Sequence, residues 1–270
     1  MGHTRLGSIP KGKKWSAVIA EIAGPVAVGA PGGILDPSSV VTEIANRTLE
    51  AASEGLHKAT DDLGLRYTFY LLTQLTLASR TEDWQERLRR LQIELGENAT
   101  IFDLTVQFQK AVDAFLLRRG HSSDISEMAQ RAAGEAICTL AGPESVTLFG
   151  TGQRQLQSAL HRFSTKNGFG LLGQRFFARF MGHFLNFYLS RISAHQLGGE
   201  RFAQVGDVSQ FNESLFEHCE QSALVVRDFC SGWYSKTEFE TGIQFANASR
   251  FVAVALEKLR GELQHQRKGQ

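Results

Sequence analysis

Prolines are crowded at one end of this 270-residue chain: four of the five (Pro10, Pro25, Pro31 and Pro37) lie in its first 37 residues, and only Pro143 follows. A proline inside a helix removes a backbone donor and clashes with the preceding turn, so the long proline-poor remainder permits helices. That remainder lacks alternating runs of Val, Ile and Thr, and carries Ala, Leu, Gln, Glu, Arg and Phe at three- and four-residue spacing. The spacing predicts an all-α fold, a bundle-like body of eight or nine helices preceded by an irregular N-terminal arm.

The arm is placed at residues 1–36, a basic segment rich in Pro and Gly, and the body at 37–270. Asp36-Pro37 reads as a helix start, with a capping side chain and then proline in the first turn. Thr100 and Ser123 read as caps of two further helices, and the helix that Ser123 opens is expected to close at Gly142-Pro143. Three glycines and the body's one later proline fall between Gly142 and Gly152, so two lobes are expected to meet near 142–152. Long helices are expected over about 37–60, 168–195, 208–234 and 245–264.

Lysines at 11, 13 and 14 precede an apolar stretch from Trp15 to Ala30, a loose imitation of a secretory leader. Glu21 falls inside it and Gly24-Pro25 interrupts it, which favours a short helix within the arm. No window reaches 18 apolar residues without charge, so no membrane association is expected. The three cysteines (Cys138, Cys219 and Cys230) form no C-x-x-C pair. If Cys219 and Cys230 share one helix, about 1.5 Å of rise per residue puts them about 16 Å apart, beyond bridging. Reduced thiols in a cytoplasmic protein follow.

With 29 basic and 28 acidic residues the chain has no global pull toward nucleic acid. Local patches carry whatever pull there is. On the segment 169–191, Phe169, Phe176, Phe180, Phe184 and Phe187 share one helical face and Leu171, Ala178, Gly182, Leu185 and Leu189 the other. A helix apolar on both sides belongs in the middle of a domain. Between those faces runs a polar stripe of Arg175, Arg179, His183 and Asn186. Buried charges must be paired, and Glu213, Glu217 and Glu220 on the next long helix are candidate partners. The competing reading is an anion or nucleic-acid site formed by Arg175, Arg179 and His183, with Lys11, Lys13 and Lys14 on the arm.

Trp15 on the arm, and Trp233 and Tyr234 beside a glycine expected to end a helix, are candidate protein contacts. Their alternative is to anchor neighbouring chain. Two Glu-x-x-His pairs, Glu54/His57 and Glu262/His265, have the spacing used in di-metal bundles, but the second lies in a charged, glutamine-rich terminus. Gly150-Thr151-Gly152 lacks the strand and the lysine of a phosphate loop. No nucleophile motif is present, and no cofactor or metal is expected.

These features point to a non-catalytic interaction or adaptor subunit of a larger intracellular assembly, with one or more protein partners. A nucleic-acid-binding accessory protein with a basic groove is the alternative. A helical metal- or phosphate-dependent enzyme is the third reading, and it requires His57, His183 or Glu54 to converge.

Overall fold

In the computed structural model the described residues are 11–24, 37–145 and 152–265. Among them the chain is all-α, with one short 3₁₀ turn and no β-strand. The helices are α1 (Lys13–Ala23), α2 (Pro37–Ala51), α3 (Ser53–Asp61), α4 (Leu63–Ala78), α5 (Trp84–Arg90) and α6 (Ile101–Leu117). There follow α7 (Asp124–Ser145), α8 (Gln153–His161), α9 (Lys166–His195), α10 (Val205–Ser222), α11 (Leu224–Thr241) and α12 (Phe245–His265). No described helix is long and apolar enough to cross a membrane.

Local chemistry fixes the helix starts. Thr100 and Asp103 form a reciprocal capping box at α6, each side chain taking the other residue's backbone N–H. Ser123 Oγ accepts from Ser126 N at 3.0 Å, Asp62 from Leu65 N at 2.8 Å, and Thr165 from Gly168 N at 3.1 Å.

Four expected boundaries differ. The helix anticipated over 37–60 bends at Ala52 (φ −92°, ψ 13°), and the one over 208–234 bends at Ala223 (φ −75°, ψ −4°). Backbone hydrogen bonds continue through both bends, Ala52 N to Thr48 O and Ala223 N to Cys219 O, so the apolar period runs on unbroken. Cys219 and Cys230 therefore sit on successive helices rather than one, both free and buried. Gly232 ends nothing, because α11 continues to Thr241. The helix α7 likewise runs past Gly142-Pro143 to Ser145, and the expected lobe boundary falls partly on 146–151, outside the described residues.

The short helix expected within the arm is present. Residues 13–23 form α1, whose Val18 and Ile22 are fully buried, and α1 packs on α2 and α9.

The centre of the molecule is aromatic. Phe69 on α4 reaches Phe169, Phe176 and Phe177 on α9 at ring-centroid distances of 5.9, 5.8 and 5.3 Å. It also meets Trp233 on α11 at 5.6 Å and Phe251 on α12 at 5.3 Å. Each such ring, once enclosed, contributes about 1.5–3 kcal/mol from apolar burial. The thirty-residue α9 is the axis on which α7, α10 and α11 pack.

Candidate functional site

The polar stripe of α9 is an ion-pair network. Arg175 pairs with Glu220 of α10, and Arg179 Nη2 lies 3.1 Å from the same carboxylate. Arg179 Nε is 3.9 Å from Glu135 of α7, whose other oxygen is 3.0 Å from His183 Nε2. The ring of Phe216 packs against the network, 5.4 Å from the Arg179 guanidinium and edge-on to His183. Glu220 is one of the three partners the sequence offers. Glu213 and Glu217 make no ion pair among the described residues. Burial alone would raise the Glu135 carboxyl, but the His183 hydrogen bond and the charges of His183, Arg179 and Arg131 outweigh it and hold it below its ordinary value. Charges arranged this way are turned toward one another rather than toward an incoming anion.

The other expected residues are dispersed. Lys11, Lys13 and Lys14 are exposed, and Lys14 donates to the Glu50 carbonyl at 3.3 Å. They share no partner with the arginine stripe. Trp15 is half-buried against Tyr188 of α9, ring centroids 5.1 Å apart. Trp233 and Tyr234 turn inward: Tyr234 is fully buried, stacked on Phe169 at 4.0 Å, with its hydroxyl 3.1 Å from Thr76 Oγ1. Trp233 stacks on Phe251 at 4.3 Å. Tyr234 presents no contact surface, because α11 continues past Gly232 and carries it into the core, whereas Trp233 stays half-buried at the edge of that core. Burial pushes the Tyr234 hydroxyl up to about 12 and the Cys219 thiol likewise to about 12, which leaves that thiol unreactive.

Among the described residues the metal pattern does not assemble. Glu54 is held by Lys58 at 2.8 Å, His57 is exposed, and the His265 side chain lies outside the described residues. Among the described residues no three His, Cys, Asp or Glu side chains are grouped to hold a metal.

Two features were not read from the sequence. The first is Asp62, nearly fully buried, where four donors converge: Leu65 N (2.8 Å), His121 Nε2 (3.0 Å), Ser123 Oγ (2.6 Å) and Ser126 Oγ (3.1 Å). The carboxylate joins the N-termini of α4 and α7, where both helix dipoles favour negative charge. A hydrolytic triad would place the histidine between serine and acid. Here both donate to one acid, and the arrangement is a clamp.

The second is a groove around the first turn of α7. On one side is a recess of about 780 Å³, walled by Trp15 of α1 and Phe184, Phe187 and Tyr188 of α9. Glu54 and Lys58 of α3, and Asp124 and Glu127 of α7, line the rest of that recess. On the other side is a recess of about 480 Å³ with Leu116, Leu117 and Asp113 of α6. Ser122, Ser123 and Glu127 border both. Burial raises the Tyr188 hydroxyl above its ordinary value, with Asp124 adding to the rise and Lys58 opposing it. The Asp62 clamp pins the α7 turn that separates the two recesses.

No protein-family model, curated protein or solved structure matches this chain.

Proposed function

We propose that this protein is a non-catalytic interaction subunit, an adaptor that docks a segment of a protein partner in the groove around the first turn of α7. One observation carries the reading: among the described residues an aromatic wall is left half-covered at a place built from packed helices and anchored by a buried carboxylate. Trp15, Phe187 and Tyr188 are only half-buried there, and large aromatic side chains at the edge of a rigid recess are what partner surfaces use as anchors. The nucleic-acid alternative draws no support from Arg175 and Arg179, whose guanidinium groups face Glu220 and Glu135.

The test is a selection of peptides from a random library against the full chain, with binders mapped by amide hydrogen exchange. The expected outcome is protection of the first turn of α7, of α3 and of the C-terminal half of α9. Binders that protect other surfaces and leave that turn unchanged overturn the proposal.

A further inference from the structure

We infer that the groove's occupant is a basic segment of a partner protein, one that places arginine or lysine side chains between the aromatic wall and the carboxylates of α7. This inference rests on the docking role proposed above and adds the chemistry of what docks.

The charged residues that line the two recesses have one sign once the Glu54–Lys58 pair is removed, and the Arg191 cation stands beside the wall, outside that lining. Lys58 is the one lysine or arginine among the residues bordering the two recesses, and Glu54 holds it at 2.8 Å in an i, i+4 pair. Asp124 and Glu127 are exposed and make no ion pair among the described residues. Asp113, in the second recess, accepts only a neutral hydrogen bond, from Gln130 at 2.9 Å. His121 is engaged by Asp62. The dipole of α7 accounts for acids being tolerated in its first turn. It does not account for an aromatic wall standing opposite them.

That combination discriminates among partners. The face of an aromatic ring attracts a cation, guanidinium above all, and a nearby carboxylate adds a charge-assisted hydrogen bond. The same wall already holds one guanidinium: Arg191 lies 5.0 Å from the centroid of Phe187. A neutral apolar segment would bury Glu127 and Asp124 without a partner, which is unfavourable. An acidic segment would meet like charge. The two recesses flank one turn of helix, so a single basic segment can place one cation on each side of it.

The test uses fluorescein-labelled hexa-arginine and its neutral isostere hexa-citrulline, titrated into the full chain and followed by anisotropy. Saturable binding of hexa-arginine and none of hexa-citrulline are expected. The double substitution Asp124→Asn with Glu127→Gln should weaken hexa-arginine at least tenfold. Asp83→Asn with Glu86→Gln on α5, an equal change of charge away from the groove, should alter it less than twofold. Tyr188→Leu should weaken it by about two- to fivefold, the size of a partly exposed cation–π contact. Equal losses from the two double substitutions would reduce the binding to general charge attraction and overturn the inference. If hexa-arginine fails while library-selected neutral or acidic peptides still protect the α7 turn, the basic partner is wrong and the docking role stands. If selected peptides protect other surfaces, both fall.

Discussion

The two halves of α9 carry the same aromatic spacing and meet different fates. In the first half Phe169, Phe176, Phe177 and Phe180 have no exposed surface, enclosed with Phe69 of α4, Tyr234 of α11 and Phe251 of α12. In the second half Phe184 is buried, but Phe187 and Tyr188 are half-covered and border a recess. Their cover differs in kind. Helix α7 runs antiparallel to α9, with Glu135 beside Arg179 and His183 and Asp124 near Tyr188, so its first turn arrives where α9 is nearing its end. The short α1 adds one large ring there, Trp15. Aromatic periodicity thus specifies a helix that belongs inside, and the ends of its neighbours decide which turns are closed.

The largest test of this contrast is truncation of one ring from each half. Phe176→Ala should cost about 3–5 kcal/mol in chemical denaturation, because the cavity it leaves is surrounded by rings that cannot collapse into it. Phe187→Ala, removing a half-exposed ring, should cost about 1 kcal/mol. Equal losses would mean that the second half is as closed as the first. Next in size is Gly170→Ala. A β-carbon at residue 170 would lie 2.8 Å from the carbonyl oxygen of Arg227, a backbone atom of α11 with no rotamer to change. A loss of about 1–3 kcal/mol is expected from overpacking.

Much of this contrast could be read in the sequence up to the point where helices meet. Caps at Thr100 and Ser123 and the apolar periods of α6, α9 and α12 are local, and the structure has them within a few residues. The bends at Ala52 and Ala223 leave no mark, since alanine suits either side of a bend and the hydrogen bonds continue. Gly232 misleads in the opposite direction. It is exposed with open space around it, so the helix tolerates it, and Tyr234 goes to the core instead of a partner. Glu220 was legible as a partner of the stripe because α10 directly follows α9. Glu135 was not, coming from a helix 48 residues earlier than His183. The groove is a gap between chain segments distant in sequence, and no residue spacing encodes a gap.

The ion network at the middle of α9 joins the two halves, and its expected effect is smaller. Glu135→Gln should cost about 0.5–1 kcal/mol, because the network is partly exposed and water screens it. Its pH signature separates it from His218, whose imidazole burial pushes below its ordinary value. Both groups bind protons less readily folded than unfolded, so each contributes stability that is lost toward acid. For His218 the loss starts as pH falls below about 6.5 and continues through its lowered folded value; for Glu135 it starts below about 4.5. Urea midpoints measured from pH 7 to pH 3 should show both losses in the wild-type chain. His218→Gln should flatten the first and Glu135→Gln the second. A first loss that survives His218→Gln would assign it elsewhere.

The smallest effect gives the sharpest comparison. Gly55→Ala on α3 repeats the substitution tested at Gly170, now against the open half of α9. The new β-carbon would come within 2.5 Å of the Tyr188 hydroxyl oxygen and no closer than 3.5 Å to Phe184. The close atom is the far end of a flexible side chain beside a recess of about 780 Å³, so Tyr188 can turn into the space that Gly170's neighbour lacks. Alanine's better helix propensity, about 1 kcal/mol over glycine, then offsets the displacement. The expected change in stability is within about 0.5 kcal/mol. A shift in Trp15 fluorescence should accompany it, since Trp15 packs on the displaced ring. A loss as large as that of Gly170→Ala would show Tyr188 held as firmly as the core rings, and the recess would then be too rigid to adapt to a partner.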